Sequence, residues 1–156
     1  MKYIKNKILI VSLASGILGC SQSATSVFEK DPIYAQNIQY TKVIKSIAKD
    51  DVQAIFNITY LNSVESSKWD NEKQNFLIGA YTFNNNPNDF HLSMNDTIPT
   101  DTTLVKKTDS LYKDIAFKNN WATYKIVSFT DLKDTNLTLQ YTHPKYKTIS
   151  VNFIKE

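Results

Sequence analysis

Cys20 is the residue with the most distinctive chemistry in this chain, because it is the only cysteine among 156 residues. A cysteine thiolate is a strong nucleophile that forms thioether or disulfide bonds. With no second cysteine, an internal disulfide is excluded. Cys20 follows an apolar run, residues 8–18, and Gly19, which leaves the backbone accessible. We therefore expect covalent modification at Cys20.

The segment ahead of Cys20 has the features of an export leader. Three lysines lie within the first seven residues, and the next eleven, ILIVSLASGIL, carry no charge. As a helix, eleven residues rise only about 16 Å, roughly half the hydrocarbon thickness of a bilayer. The pattern therefore predicts a cleaved signal peptide and argues against a permanent transmembrane helix.

Ile17, Leu18, Gly19 and Cys20 resemble the lipobox of bacterial lipoproteins, in which an aliphatic residue and a small residue precede the modified cysteine. The resemblance covers only the leader. It implies that the Cys20 thiol takes a diacylglyceryl group, that a peptidase cleaves before Cys20, and that the new amino terminus is acylated, for example by palmitate. Two acyl chains give stable membrane attachment. The alternative is an ordinary secretory leader, which leaves a lone thiol in an oxidising compartment.

Ser21 bears on which membrane the protein reaches. In lipoproteins of double-membraned bacteria, an aspartate after the cysteine commonly retains the protein in the inner membrane, and this chain has Ser21. The resemblance therefore implies a lipid-anchored envelope protein of the outer membrane, facing the periplasm. We predict a signal peptide over residues 1–19, a lipidated, flexible tether over 20–31, and a single domain over 32–156, similar to small periplasmic β-sandwich lipoproteins.

Cleavage of the leader removes the apparent basic character of the chain. The 18 Lys plus Arg residues face 15 Asp plus Glu residues, and three lysines leave with the leader, so the mature protein has 15 of each sign. The calculated pI near 8.8 is thus no argument for nucleic-acid binding. All cations are lysines, which excludes bidentate arginine recognition, although an A/T-rich genome explains the missing arginines equally well.

Period-two alternation of apolar side chains runs through most of the remaining sequence and predicts strands. The stretch around residues 38–51 has both helical and alternating spacing, and a first strand is favoured. A short helix is expected within 108–117, capped by Thr108 or Asp109. The fold class predicted is all-β, an antiparallel two-sheet sandwich, immunoglobulin-like or related, with at most one or two short helices. The other predicted strands cover residues 52–61, 76–83, 90–94, 121–130, 137–141 and 149–153, with a turn at 143–146.

No residue pattern indicates catalysis. Nucleophilic catalysis requires a histidine held near the nucleophile, and the chain has only His91 and His143, both expected on the surface. There is no GxSxG motif, and three glycines leave no phosphate-binding loop. Two separated histidines do not make a zinc site. We therefore expect a protein that is not an enzyme and has no cofactor, although a dispersed carboxylate site stays a third hypothesis.

Two loop features point to ligands or modification. Oxygen-bearing side chains in predicted loops are candidates for a calcium site, although turn chemistry also explains them and no metal site is predicted. Asn136 lies in DTNLT, which matches the extended bacterial N-glycosylation pattern and is also an ordinary turn before a strand. The loop residues considered for calcium are Asp89, Asp96, Asp101, Asn84, Asn86 and Asn88.

Aromatic residues make up 12% of the chain and are the remaining guide to function. Trp69, Tyr112, Trp121 and Tyr146 fall near strand ends or loops, and packing in the core is favoured for Trp121. Tyr and Trp supply much of the energy at binding surfaces. The leading hypothesis is a lipid-anchored module that binds or scaffolds an envelope protein partner, and the alternative is a small-ligand or calcium-binding lipoprotein.

Overall fold

The structure is a computed structural model that describes residues 31–69, 72–83 and 86–155. Residues from Ile33 onward belong to one compact unit. The predictions for the signal peptide, the cleavage site, Cys20 and most of the tether fall outside the described residues.

The described residues form eight β-strands and four short α-helices. The helices are α1 (Pro32–Gln39), α2 (Leu61–Val64), α3 (Ser66–Trp69) and α4 (Ser110–Lys113), with a 3₁₀ turn at Pro87–Asp89. The strands are β1 (Thr41–Ala48), β2 (Asp51–Tyr60), β3 (Lys73–Thr82), β4 (His91–Met94), β5 (Asp101–Leu104), β6 (Thr123–Thr130), β7 (Asn136–His143) and β8 (Tyr146–Ile154).

The strands make two antiparallel sheets that pack face to face. One has five strands in the order β1-β2-β3-β6-β5, and the other has three in the order β4-β7-β8. The predicted all-β sandwich is confirmed. The structure has four short helices where the sequence predicts at most one or two; three of them have only four residues, and a helix of one turn leaves no readable periodicity.

The main core lies between the sheets, where the predicted alternation places apolar side chains. Ala54, Phe56 and Ile58 of β2 are fully or almost fully buried there, as are Leu137 and Leu139 of β7. Burial of this kind contributes about 25 cal/mol per Å² of apolar surface. The sandwich is therefore held by the inner faces of its strands.

A second apolar cluster covers the outer face of the five-stranded sheet. Leu77 of β3 and Tyr124 of β6 point to this face, where they pack with Val105 and Ile115 from the long β5–β6 connection. Tyr124 lies so close to Gly79 that an added Cβ there would be 2.5 Å from the ring. Glycine is therefore required at 79 for this packing.

The structure confirms three local predictions: a first strand, a closing hairpin and a short helix. Lys49 and Asp50 have φ values of 51° and 67° and join β1 to β2, so the ambiguous segment is a strand. Residues 144–145 join β7 to β8 as the predicted closing hairpin. The predicted short helix is α4, and Asp109 occupies its N-cap position, but its carboxylate accepts from the Lys106 N–H and makes no cap hydrogen bond with the helix.

The sandwich has two distinguishable ends. At the proximal end α1 leads into β1, and the Tyr60 N–H at the end of β2 donates to the Tyr40 carbonyl at 3.1 Å. Asn37 of α1 is buried against this end, and its carbonyl accepts from the Thr41 hydroxyl. At the distal end β3 finishes, β6 starts, and β7 turns into β8.

The sandwich also has a closed side and an open side. On the closed side β1 approaches β8, where the Lys42 ammonium donates to the Asn152 carbonyl at 2.6 Å and lies 5.2 Å from the centre of the Phe153 ring. The open side lies between the short edge strands β4 and β5, and the space between the sheets is reachable there.

Candidate functional site

A cavity of about 170 Å³ lies between the sheets at the open side, in the distal half of the sandwich. Its inner wall is apolar and aromatic, and its remaining lining includes two threonines and one lysine. None of the lining residues is acidic, so the cavity is not the acidic cleft that a carboxylate hydrolase requires. The lining residues are Phe56, Ile78, Ala80, Phe90, Leu92, Pro99, Thr102, Thr123, Lys125, Val127 and Tyr141.

The alternation of side-chain directions along β6 places two of its polar residues in the lining of the cavity. Val127 and Phe129 face the core between the sheets, and the same face continues through Lys125 to Thr123. Leu104 of β5 lies opposite Lys125 and is 54% exposed. The inner face of β6 therefore changes from apolar to polar as it reaches the distal end.

The polar groups of the cavity have no partner within the described chain. No hydrogen bond or ion pair among residues 31–69, 72–83 and 86–155 engages the Lys125 ammonium or the hydroxyls of Thr102, Thr123 and Tyr141. Tyr141 is only 5% exposed. Its burial raises its pKa far above the ordinary phenol value, so the hydroxyl keeps its proton and is available as a donor.

Aromatic rings that contact one another form the distal wall of the cavity. Tyr141 stacks on Phe56 with a centroid distance of 4.0 Å, and Phe90 meets Phe56 edge-on at 5.2 Å. Phe90 also contacts His143 at 4.6 Å, and His143 stacks on Tyr146 at 4.3 Å. Such pairs add about 0.5–1.5 kcal/mol each beyond burial.

The two histidines lie on opposite faces of the three-stranded sheet. His91 is exposed, as predicted, whereas His143 is half-buried in the aromatic stack, which differs from the predicted surface position. His143 Nδ1 accepts from the Lys145 N–H at 3.0 Å, and Nε2 is buried without a partner in the described chain. The two rings do not form a catalytic or zinc-binding pair.

Trp121 is 80% exposed, so the prediction that it plugs the core is wrong. The reason is that β6 begins only at Thr123, and Trp121 belongs to the preceding loop. Asn119 orders this loop: its side-chain oxygen accepts from the Trp121 N–H at 2.9 Å, and its own N–H donates to the Tyr124 hydroxyl at 2.7 Å. Trp121 is therefore a solvent-facing ring on a well-bonded backbone.

Phe117 is held outward on the same loop. It is 53% exposed and has a φ of 55°, which is unusual for an aromatic residue and costs roughly 1–2 kcal/mol. Its carbonyl accepts from the Asn57 side chain at 3.2 Å, which ties the loop to β2. We call the rings of Tyr81, Phe83, Phe117 and Trp121 at the end of β3 and in this loop the distal aromatic face; the first two meet edge-on at 4.5 Å.

The other aromatics that the sequence left undecided are packed. Trp69 and Tyr112 lie against the outer cluster, and Tyr146 lies against the main core. The sequence analysis therefore left Trp69 undecided and favoured packing for Trp121, which is the exposed tryptophan of the two. The start of β6 was the missing information, since alternation alone does not fix where a strand begins.

The free edge of the five-stranded sheet is protected. Alternate residues of an edge strand direct their backbone groups outward, and in β5 these are Thr102 and Leu104. The Thr102 N–H donates to the Asp101 carboxylate at 2.8 Å, and the Lys106 N–H donates to the Asp109 carboxylate at 2.7 Å. Charged side chains that occupy backbone donors along an edge discourage pairing with another strand.

The loop residues considered for calcium serve turns. Asn86 accepts from the Asn88 N–H at 3.0 Å, and Asp96, with a φ of 64°, lies in the turn after β4. Asp89 ends the 3₁₀ turn, and Asn84 lies outside the described residues. Among the described residues, no three His, Cys, Asp or Glu side chains come together as a metal-binding group.

Asn136 is the exposed first residue of β7. Its carbonyl accepts from the Asn95 side chain at 2.9 Å, and a shallow polar depression surrounds it. The predicted glycosylation at Asn136 stays a prediction. The other predicted sites, Ile17, Leu18, Gly19 and Cys20, fall in the part of the chain that is not described.

Within the described ranges, no helix combines the length and the apolar character needed to cross a bilayer. Comparison of the chain with protein-family models, with curated proteins and with solved structures gives no match.

Proposed function

We propose that this protein is a lipid-anchored, non-enzymatic module of the bacterial envelope that binds a protein partner through its distal aromatic face. The observation that carries partner binding is Trp121, which is 80% exposed on a loop whose backbone is fixed by hydrogen bonds. The lipobox-like residues that end at Cys20 support the anchor, and Ser21 supports the outer membrane as its place.

The distal aromatic face has the properties of a binding hot spot. Trp, Tyr and Phe bring large contact areas and lose little side-chain entropy when a partner orders them. The bonds from Asn119 and Asn57 already fix the loop that carries Phe117 and Trp121. A partner therefore meets a prepared surface, which lowers the entropy cost of association.

The end at which the chain enters the sandwich supports partner binding at the distal aromatic face. The described chain enters the sandwich through α1 at the proximal end, and the distal aromatic face lies where β3 ends and β6 begins. A tether over residues 21–31 reaches about 35 Å when extended. An anchor at Cys20 would thus restrain the proximal end and leave the distal end for a partner.

The partner is proposed to bind a surface and not to add a strand. The acids Asp101 and Asp109 already occupy backbone donors next to the free edge of β5. A strand that paired there would have to displace both carboxylates. The aromatic face requires no such exchange.

Crosslinking in the native envelope tests the proposal, with the captured protein identified by mass spectrometry. Trp121→Ala is expected to lose the partner that wild type captures. Ile154→Ala is the matched control, because Ile154 is 68% exposed at the proximal end of β8, and it should capture the partner normally. Equal capture by wild type and Trp121→Ala would contradict partner binding through this face.

The anchor is tested separately by the mass of the mature polypeptide. We expect an amino-terminal Cys20 with a diacylglyceryl thioether, and we expect Cys20→Ala to leave the membrane fraction. An unmodified thiol, or a retained Met1, would refute lipidation without affecting the test of the aromatic face.

A further inference from the structure

We infer that the open-side cavity is a binding site for a small monocarboxylate with a compact apolar body. This site is distinct from the distal aromatic face and goes beyond the proposed protein binding. The inference rests on the size of the cavity, on its apolar inner wall, and on four polar groups that have no partner within the described chain.

Size restricts the ligand to a single small apolar group. The cavity measures about 170 Å³. A protein cavity of about 150 Å³ lined by apolar side chains accommodates benzene. A benzene ring or a chain of about six carbons therefore fills the part of the cavity that lies between the sheets. Phe56, Phe90 and Ile78 provide apolar and aromatic contacts for such a body.

Charge selects an anion with one negative charge. Lys125 is the only charged residue that lines the cavity, and it has no ion pair within the described ranges. A carboxylate accepts hydrogen bonds from an ammonium and from hydroxyls, and charge-assisted bonds are roughly twice as strong as neutral ones. A phosphate monoester carries nearly two charges at neutral pH and would leave one unbalanced.

Tyr141 strengthens the argument, because it is a polar group that the fold itself leaves without a partner. Its side chain is 5% exposed, and its hydroxyl makes no hydrogen bond within the described chain. The hydroxyl oxygen itself stays within reach of solvent, so a ligand that enters the cavity can replace water as its hydrogen-bond partner. A carboxylate oxygen bound between Lys125 and the hydroxyls provides acceptors for this group and for Thr123.

Titration of the full chain, purified in a nonionic detergent, with benzoate and hexanoate tests the inference by protein NMR. Benzyl alcohol and hexanol are the probes that keep the apolar body and lack the charge. We expect saturable shifts of cavity residues with the carboxylates and at least tenfold weaker binding of the alcohols. Lys125→Met is expected to weaken benzoate binding at least tenfold, whereas Lys147→Met, an exposed lysine away from the cavity lining, should leave it unchanged.

Ala80→Leu fills the cavity and keeps Lys125, so it separates occupancy of the cavity from surface charge attraction. It should abolish benzoate binding while circular dichroism shows a folded protein. Benzoate binding that survives either Lys125→Met or Ala80→Leu, or no saturable shifts in wild type, would overturn the inference. Partner capture is tested at Trp121 and benzoate binding at the cavity. A failure to capture a partner would therefore leave the benzoate result intact, and a failure to bind benzoate would leave the partner result intact.

Discussion

A polar network at the proximal end of the sandwich differs from the polar lining of the distal cavity. At the proximal end, the Tyr60 hydroxyl donates to Gln74, Gln74 donates to Asp131, and the Lys155 ammonium donates to Asp131 at 2.6 Å. At the distal end, Lys125 and the hydroxyl of Tyr141 have no such partners within the described chain. The groups of this proximal network are therefore bonded to one another, whereas these two groups of the cavity lining are left available.

A second proximal network repeats the pattern. Asn75 is buried, and its amide donates to the Trp69 carbonyl at 2.8 Å, while its side-chain oxygen accepts from the Ser128 hydroxyl at 2.7 Å. Its N–H donates to the Asn62 side chain at 2.8 Å. Satisfied buried networks stabilise and specify a fold. The difference teaches that these proximal networks stabilise the fold, whereas the polar groups of the cavity lining are available to the ligand that we infer.

The largest expected effect comes from core truncation at the proximal end. Phe76→Ala removes a fully buried ring that packs with Tyr60, Phe129 and Phe153, and it should lower the free energy of unfolding by about 3–5 kcal/mol. Leu92→Ala, in the half-buried wall of the cavity, should cost less than about 2 kcal/mol. Chemical denaturation measures both, and equal losses would contradict the contrast between the ends.

The next effect concerns the buried amide network. Asn75→Ala leaves the Ser128 hydroxyl and the Trp69 carbonyl without this partner, so we expect a loss of about 1–3 kcal/mol. Thr123→Val at the distal end keeps the side-chain shape and removes a hydroxyl with no partner in the described chain, and it should change stability by less than about 0.5 kcal/mol. A larger loss from Thr123→Val would show a hidden structural role.

Tyr141→Phe should act mainly at alkaline pH. Burial raises the pKa of Tyr141 above the ordinary value of 10.0, so the unfolded chain releases this proton first. Stability is therefore unaffected below pH 10 and falls as pH rises beyond it, by roughly 1 kcal/mol from this group at pH 11. Tyr141→Phe should make the alkaline decline shallower in urea titrations at pH 9 to 11. An unchanged slope would contradict the burial of the phenol.

The smallest effect is expected at the Asp131–Lys155 pair. The hydrogen bond from Lys155 holds the pKa of Asp131 below the ordinary value of 3.8, so the pair stabilises the fold above that pH and loses its effect as pH falls through the lowered pKa. The pair is largely exposed, and Lys155→Met should cost less than about 1 kcal/mol at pH 7. The cost should shrink as the pH falls through the lowered pKa of Asp131, and a cost that does not change with pH would indicate lost packing.

The strands with clear alternation were predictable from the sequence, and those without it were not. In β2, alternate residues such as Phe56 and Ile58 are buried, so the pattern reports the core directly. Every residue of β5 is exposed. Its sequence, DTTL, has three polar residues followed by one leucine, so it shows no alternation of apolar and polar residues. Pairing with β6 alone makes this segment a strand.

The residues of the candidate sites were not predictable from the sequence, for a similar reason. Trp121 was assigned to the core because the predicted strand began two residues before β6 does. The apolar pattern also gave no reason to single out Lys125, since one lysine within a strand is normally solvated. Its place in the cavity follows from the separation of β4 and β5 across the open side, which depends on contacts distant in sequence.

The sequence by itself determined the sandwich class, most of the strands and the lipobox-like leader, because alternation and short motifs are local properties of the chain. Only the tertiary structure decided which side is closed, where the cavity lies, and which polar groups are left without partners. Those outcomes depend on how strands far apart in sequence pair and on how closely the two sheet edges approach. Strand pairing and sheet packing are long-range interactions, and a period-two pattern does not encode them.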